Sequence, residues 1–305
     1  MENIEKDLLK MIADIEGEPA GAFNIRANGA LSGRQVSANV DIKTKTDKPG
    51  IDIIIRPGTK GETLHIPVII TETGLKDLVY NDFIIGDDAD VTIIAGCGIH
   101  NCGGEESRHD GIHSFFLGKN ARVKYVEKHF GGGDGKGGRV MNPTTIVNLA
   151  AGSYMEMETT QIEGINSTER ITNAVVGDGA AIVVHEKIMT HGDQVAITNF
   201  TVDLNGENSK ANVVSRSVAK DDSNQQFLSK INGNNLCNGH TECDAIIMDN
   251  ARVTAIPEIA ANSVDASLIH EAAIGKIAGE QLVKLMTLGL TEKQAEEQIV
   301  SGFLK

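Results

Sequence analysis

Apolar residues along this chain follow a helical spacing at both ends and a strand-like pattern between them. Ile4, Leu8, Ile12 and Ile15 recur at helical intervals over residues 3 to 16, and Gly17 and Pro19 end the run, which predicts one amphipathic helix. From Ala22 to about Ala261 the apolar stretches are short and β-branched, as in I-D-I-I-I at 51 to 55, V-T-I-I-A at 91 to 95 and A-I-V-V-H at 181 to 185. Gly, Asp or Asn bounds each of them, which predicts strands joined by tight turns. Beyond that region Ile274, Ile277, Leu282, Leu285 and Met286 return to helical spacing and stop at Gly289. Thr291 and Gln294 then form a capping box for a last helix carrying Ala295, Ile299 and Phe303.

One phrase repeats through the β-rich region: a turn of Gly, Asp, Asn or Lys, a small residue, any residue, then Val or Ile. It ends at Val91, Val123, Ile182, Val213 and Val253, with a looser copy at Met155. Copies roughly thirty residues apart suit stacked solenoid coils, with the small residue in a tight corner and the β-branched one in the core. A β-sandwich would also give short strands, but it carries no reason to repeat one turn phrase. The expected fold is all-β with helical ends: a right-handed parallel β-helix over 22–265, an N-terminal helical segment over 1–21 and a C-terminal helical region over 266–305.

Composition agrees with this. Among 305 residues there are 33 Gly, no Trp and only 4% aromatics, a balance that favours short strands and turns over a helical globule. The formal charge of −14, from 28 basic and 42 acidic residues, argues against nucleic acid or anionic lipid as partners, since both require a positive surface. No stretch approaches the roughly eighteen apolar residues of a membrane span, and the first residues do not form a signal peptide. The expected location is cytoplasmic, with the four cysteines reduced and open to metal or sulfur chemistry.

Two segments invite a chemical reading from their residues alone. Cys97, His100, Cys102, His109 and His113 place five soft or borderline ligands in one glycine-containing stretch, which suits zinc or iron. A strand-end loop with polar histidines is an equally good account, and Gly111 between His109 and His113 argues against a metalloprotease helix. Gly131 to Gly138 lacks the G-K-[ST] ending of a phosphate loop and is expected to be a flexible turn between coils. Cys243, in H-T-E-C-D, follows an Asn- and Gly-rich loop, and most lone cysteines of this kind are buried apolar residues. His270 and Glu271 lie about one coil length further on, so a solenoid could stack them on the face that carries Cys243.

The run from Cys243 and Asp244 through Pro257, Glu258, His270-Glu271-Ala272, Gly275-Lys276-Ile277, Gly279-Glu280-Gln281-Leu282, Gly289, Ile299-Val300 and Gly302-Phe303 resembles the C-terminal core of the SufB/SufD scaffold family. The resemblance continues more loosely back to about Ala22, through D-K-P-G-I-D-I at 47 to 53 and A-G-C-G-I-H-N at 95 to 101. The chain lacks the long N-terminal extension, with its extra cysteine motif, of the better-known members, and resembles a compact branch.

The resemblance implies a non-enzymatic β-helix scaffold for iron–sulfur clusters, expected to be of the 4Fe–4S type. It implies Cys243 as sulfur acceptor and cluster ligand, Glu271 as a second ligand, His270 beside it and Cys237 as a lesser thiol. The implied partners are a SufC-like ABC ATPase docking on the C-terminal helices, a second copy or a paralogue, a sulfur donor and apo-protein acceptors. Two rivals remain at this point: a polysaccharide hydrolase or lyase on a β-helix, and a structural adaptor whose cysteines are merely buried.

Overall fold

Alternation of buried and exposed residues in strand after strand leaves each with one face for a core and one for solvent, and the computed structural model shows how those faces close on each other. It describes residues 3–17 and 19–305. Residues 1, 2 and 18 of the expected N-terminal segment lie outside the described residues. Helix α1 (Asn3–Ala13) leads into β1 (Ala22–Ala27), β2 (Ala30–Gln35), β3 (Val40–Thr44) and β4 (Gly50–Ile55). The first full coils use β5 (Lys60–Ile70), β6 (Lys76–Ile85), β7 (Asp90–His100) and β8 (Ser107–Leu117). Next come β9 (Arg122–Gly132), the short β10 (Arg139–Met141), β11 (Thr144–Leu149) and β12 (Tyr154–Glu163). The series continues with β13 (Ser167–Val176), β14 (Ala181–Thr190), β15 (Val195–Leu204) and β16 (Ser209–Ala219). It ends with β17 (Asn224–Gly233), β18 (Cys237–Ile247), β19 (Arg252–Ala261), β20 (Ala266–Gly275), α2 (Gly279–Thr287) and α3 (Glu292–Phe303).

The strands form two sheets. Sheet A runs β2-β1-β5-β7-β9-β12-β14-β16-β18-β20, and sheet B runs β19-β17-β15-β13-β10-β8-β6-β4-β3, with β11 between β8 and β13. All pairs are parallel except β1–β2 and β3–β4, whose antiparallel hairpins lie at the N-terminal end. Beyond the N-terminal hairpins each coil therefore contributes strands to both of two facing sheets, a parallel β-solenoid. One continuous apolar core runs between them from Ala22 to Cys243. Helix α1, which ends at Ala13 and not at residue 16, packs Leu8, Leu9 and Ile12, joined by Ile15 beyond it, with Phe23, Ile25 and Ile69, against β5, β7 and β9 of sheet A.

The repeated phrase marks coil corners. Asp88, Asn120, Gly152 and Gly179 take left-handed backbone angles, and the small residue after each, Ala89, Ala121, Ser153 or Ala180, is fully buried in the corner. Two copies differ from the expected phase. At the copy ending in Val213 the corner holds Ser209, and Ala211 takes the core position that pairs with Ile182. The copy ending in Val253 begins a strand of the opposite sheet.

The glycine run over 131–138 is not a loose turn. A Cβ added at Gly133, Gly135 or Gly137 would stand 2.4, 2.4 or 2.0 Å from the backbone oxygens of Asn101, Gly103 and Glu105. The backbone is pressed there onto the preceding coil, with Gly135 and Gly137 N–H groups donating to Asn101 and Gly103. At the other end, strand β20 extends to Gly275, so His270 and Glu271 lie on a strand and the helices begin at Gly279. The Thr291–Gln294 capping box forms as expected. No helix among the described residues is long and apolar enough to cross a membrane.

Candidate functional site

Strands β18 and β20 pair in parallel, with Thr241 opposite His270, Glu242 opposite Glu271 and Cys243 opposite Ala272. Side chains alternate between the faces, so Thr241, Cys243 and His270 point inward while His240, Glu242 and Glu271 point outward. The expected shared face therefore holds for His270 and fails for Glu271. Cys243 is 1% exposed inside the wall, whereas the Glu271 side chain is 66% exposed outside it. Cys237 lies on the same strand and face as Cys243 but six residues away, about 20 Å at 3.3 Å per residue, so it is no neighbouring thiol.

The inner face at this end carries unmet polar groups. Thr241 Oγ1 and His270 Nδ1 are both buried without a hydrogen-bond partner, and they are register partners, with Thr241 two residues before Cys243 on the same face. Burial lowers the His270 pKa, aided by His240 and opposed by Glu271, which favours the neutral imidazole and its lone pair. Burial pushes the Cys243 thiol up to about 12, with Glu186 and Asp244 adding to the effect. The resting thiol is protonated.

Cys243 ends a line of inward side chains across sheet A: Glu127, Thr159, Glu186, Ser215 and Cys243 stand in successive register. Ser215 donates to Glu186 at 2.8 Å and Thr198 donates to it at 3.1 Å. Arg170 crosses from sheet B, with Nη1 2.9 Å from Glu127 and Nε 3.3 Å from Glu186. Tyr125 donates to Glu127 at 2.8 Å and accepts from His113 Nδ1 at 2.9 Å. Burial alone would raise Glu127, but His129, Arg170 and His113 outweigh it and hold the carboxyl well below its usual range. Burial pushes His113 down to about 4. The motif-based reading singled out none of Tyr125, Glu127, Arg170 or Glu186. Their signal was parity, because Glu127 is in phase with the core residues Val123 and Tyr125, and Glu186 with Ile182 and Val184.

The Cys97 to His113 constellation does not form one site. Cys97, His109 and His113 point inward, while Cys102 is exposed with its Sγ 3.1 Å from His100 Nε2. His109, Gly111 and His113 share the inner face of β8, and both imidazole Nε2 atoms flank the space that a side chain at Gly111 would fill. Their Nδ1 atoms are tied to Asp77 and Tyr125. The donor atoms of Cys97, His109 and His113 do not come together within 4.8 Å. With Glu127 and His129 they line an interior cavity about the size of one water molecule. Cys97 is five strand spacings from Cys243 along the same inner face, about 24 Å.

Residues 75–303 match the family model described as the SUF system FeS cluster assembly SufBD core domain. The chain is 31% identical over 265 residues to an iron–sulfur cluster assembly SufBD family protein of Methanocaldococcus jannaschii, covering 86% of this chain and 83% of that one. It is 28% identical over 260 residues to a protein of the same description from Archaeoglobus fulgidus, covering 85% and 69% respectively. A chloroplastic relative of Arabidopsis thaliana matches at 26% over 206 residues, 65% of this chain and 37% of the relative.

Proposed function

This chain belongs to the SufBD family of the SUF iron–sulfur system, and from that premise we propose that it is a scaffold on which clusters are assembled and handed on, driven by an ABC-type ATPase. The observation that carries the reading is the inner face of the last two coils, where the Cys243 thiol lies beside the unpartnered Thr241 hydroxyl and His270 imidazole. A thiolate and a neutral imidazole are soft and borderline ligands for iron, and a buried donor with no partner is costly unless something uses it. The cluster is cargo here, so a set with fewer thiolates than a storage site favours its release.

Strand β20 pairs with the strand that carries Cys243 and is the last of sheet A, with a free edge among the described residues. Exposed Ile256, Ile259, Ile269 and Ile274 line the last coil, a surface suited to a second copy or a paralogue. Helix α2 follows β20 closely, buries no residue and exposes Val283 and Met286, with Leu288 at its end, which suits docking of the ATPase. Closure of an ATPase dimer bound there pulls on β20, uncovers Cys243 and lets its thiol ionise. Glu271 belongs to the outer side of this device, and a 4Fe–4S product is the species that two chains meeting at this end would complete.

Anaerobic reconstitution with ferrous iron and sulfide tests the reading. The wild-type chain holds iron and sulfide in equal amounts, and Cys243→Ser and His270→Leu lose most of both while keeping a native circular dichroism spectrum. Wild-type iron and sulfide content in Cys243→Ser would overturn it.

A further inference from the structure

The outer face of the same two coils gathers a second set of donors. His240 and Glu242 point outward from β18 and Glu271 points outward from β20, with the two glutamates directly opposite each other. One donor atom from each of the three lies within 4.8 Å of the other two. Among the described residues no other trio of His, Cys, Asp or Glu side chains converges in this way.

Two features separate this trio from an ordinary charged surface. His240 Nδ1 lies 2.9 Å from Asn212 Oδ1 on the neighbouring strand β16, outside the trio. An amide oxygen accepts, so Nδ1 carries a hydrogen and Nε2 is the nitrogen that faces Glu271. That Nε2 stands 3.6 Å from Glu271 Oε2, longer than a direct hydrogen bond. A carbonyl oxygen gripping the remote N–H is also the arrangement that orients a metal-binding imidazole and fixes its tautomer. The second feature is the pairing of Glu242 with Glu271. Like charges directly opposite on adjacent strands cost stability, and among the described residues neither carboxylate forms an ion pair with a lysine or arginine.

We propose that His240, Glu242 and Glu271 form a mononuclear site for a divalent transition-metal ion on the outside of the solenoid wall. One imidazole nitrogen and two carboxylate oxygens suit Fe²⁺, Mn²⁺ or Zn²⁺ over the softer and the harder cations. An ion about 2.0–2.2 Å from each donor draws the donors to roughly 3 to 3.5 Å apart, and the exposed Glu271 side chain has the rotamer freedom to close that distance. Three protein donors leave coordination positions open, so the ion exchanges. The site shares neither face nor ligand type with Cys243. Only the identity of the natural ion rests on the scaffold reading, which makes it ferrous iron held at the rim of the assembly end.

The test titrates the full chain with Co²⁺ alone, followed by calorimetry and visible absorption. One ion binds per chain, and the spectrum lacks sulfur-to-cobalt charge transfer. His240→Ala and Glu242→Gln lose this ion, Asn212→Ala weakens it about 10–100-fold through loss of ring orientation, and Cys243→Ser binds as wild type. Circular dichroism confirms that these outward-facing variants stay folded. Unchanged binding in His240→Ala and Glu242→Gln overturns the proposal, as does loss of the ion in Cys243→Ser or a sulfur charge-transfer band. The readout needs neither sulfide nor an ATPase. Cobalt bound while clusters fail to form would therefore sink the scaffold reading alone, and clusters formed without cobalt binding would sink this site alone.

Discussion

The solenoid has two polar interiors, and they differ in whether buried charges are paired across them. Around Arg170 the buried charges answer each other, with Glu127, Glu186, Tyr125, His113, Thr198 and Ser215 all partnered, although Thr159 Oγ1 and Arg170 Nε lack a hydrogen bond. Around Cys243 the Thr241 hydroxyl and the His270 Nδ1 have none. Paired buried polarity holds a structure in one arrangement, whereas unpaired polarity is kept at a stability cost and points to a use. The middle coils are tied together by charge pairs across the interior, whereas the last two carry unmet polar groups near a buried thiol.

The largest test of that contrast is Arg170→Met. It leaves Glu127 and Glu186 buried without their cation and should lower stability by about 3–5 kcal/mol, read from the urea midpoint. Adding Glu127→Gln to the same chain should recover part of the loss. No change in midpoint would mean that water already solvates this interior.

Acid should act on the paired interior next. His113 takes up a proton near pH 6.5 in the unfolded chain but only at about 4 in the fold. Its contribution is complete above about pH 6.5 and is lost as pH falls toward 4, at about 1.4 kcal/mol per pH unit and about 3 kcal/mol in all. Glu127, held low by its partners, adds a loss of the same sign at lower pH. Urea titrations of wild type and His113→Gln across this range isolate the histidine, and equal slopes would contradict its burial as a neutral ring.

A smaller pair of changes compares the two interiors directly. Thr198→Val removes a hydroxyl that donates to Glu186 and should cost about 1 kcal/mol, while Thr241→Val removes an orphan and should gain about 1 kcal/mol. The same sign for both would erase the distinction. Smallest in energy is Cys102→Ser, expected within about 0.5 kcal/mol of wild type. It should nevertheless abolish the single fast thiol seen on labelling the folded chain, since Cys97, Cys237 and Cys243 are buried. More than one fast thiol in wild type would show that β20 opens unaided.

Much of the frame was legible in the letters. Corner residues Ala89, Ala121 and Ala180 announced the coils, and the Thr291–Gln294 box announced the last helix. The site was legible only in part, because a face depends on register between coils. Ala272, 29 residues after Cys243, is its partner, and Glu271, at 28, falls one short. A slip of one residue moves a side chain to the other side of a sheet, and coil length is not written in any single turn. His240 and Glu242 were hidden for the same reason, since only pairing across β16, β18 and β20 brings Asn212, His240 and Glu271 into line. The glycines at 133, 135 and 137 misled because a loose turn and a close backbone contact call for the same residue.

Coil length also varies along the axis: contacts between equivalent corners span 32 residues near Asp87, 29 near Asp221 and 28 near Asn262. Each coil touches only its neighbours, so the solenoid can grow or shrink by whole coils between α1 and β16 without disturbing the pairing of β18 with β20. The length of the molecule is thus free to set how far apart its two ends stand, while the arrangement of side chains on β18 and β20 is kept intact.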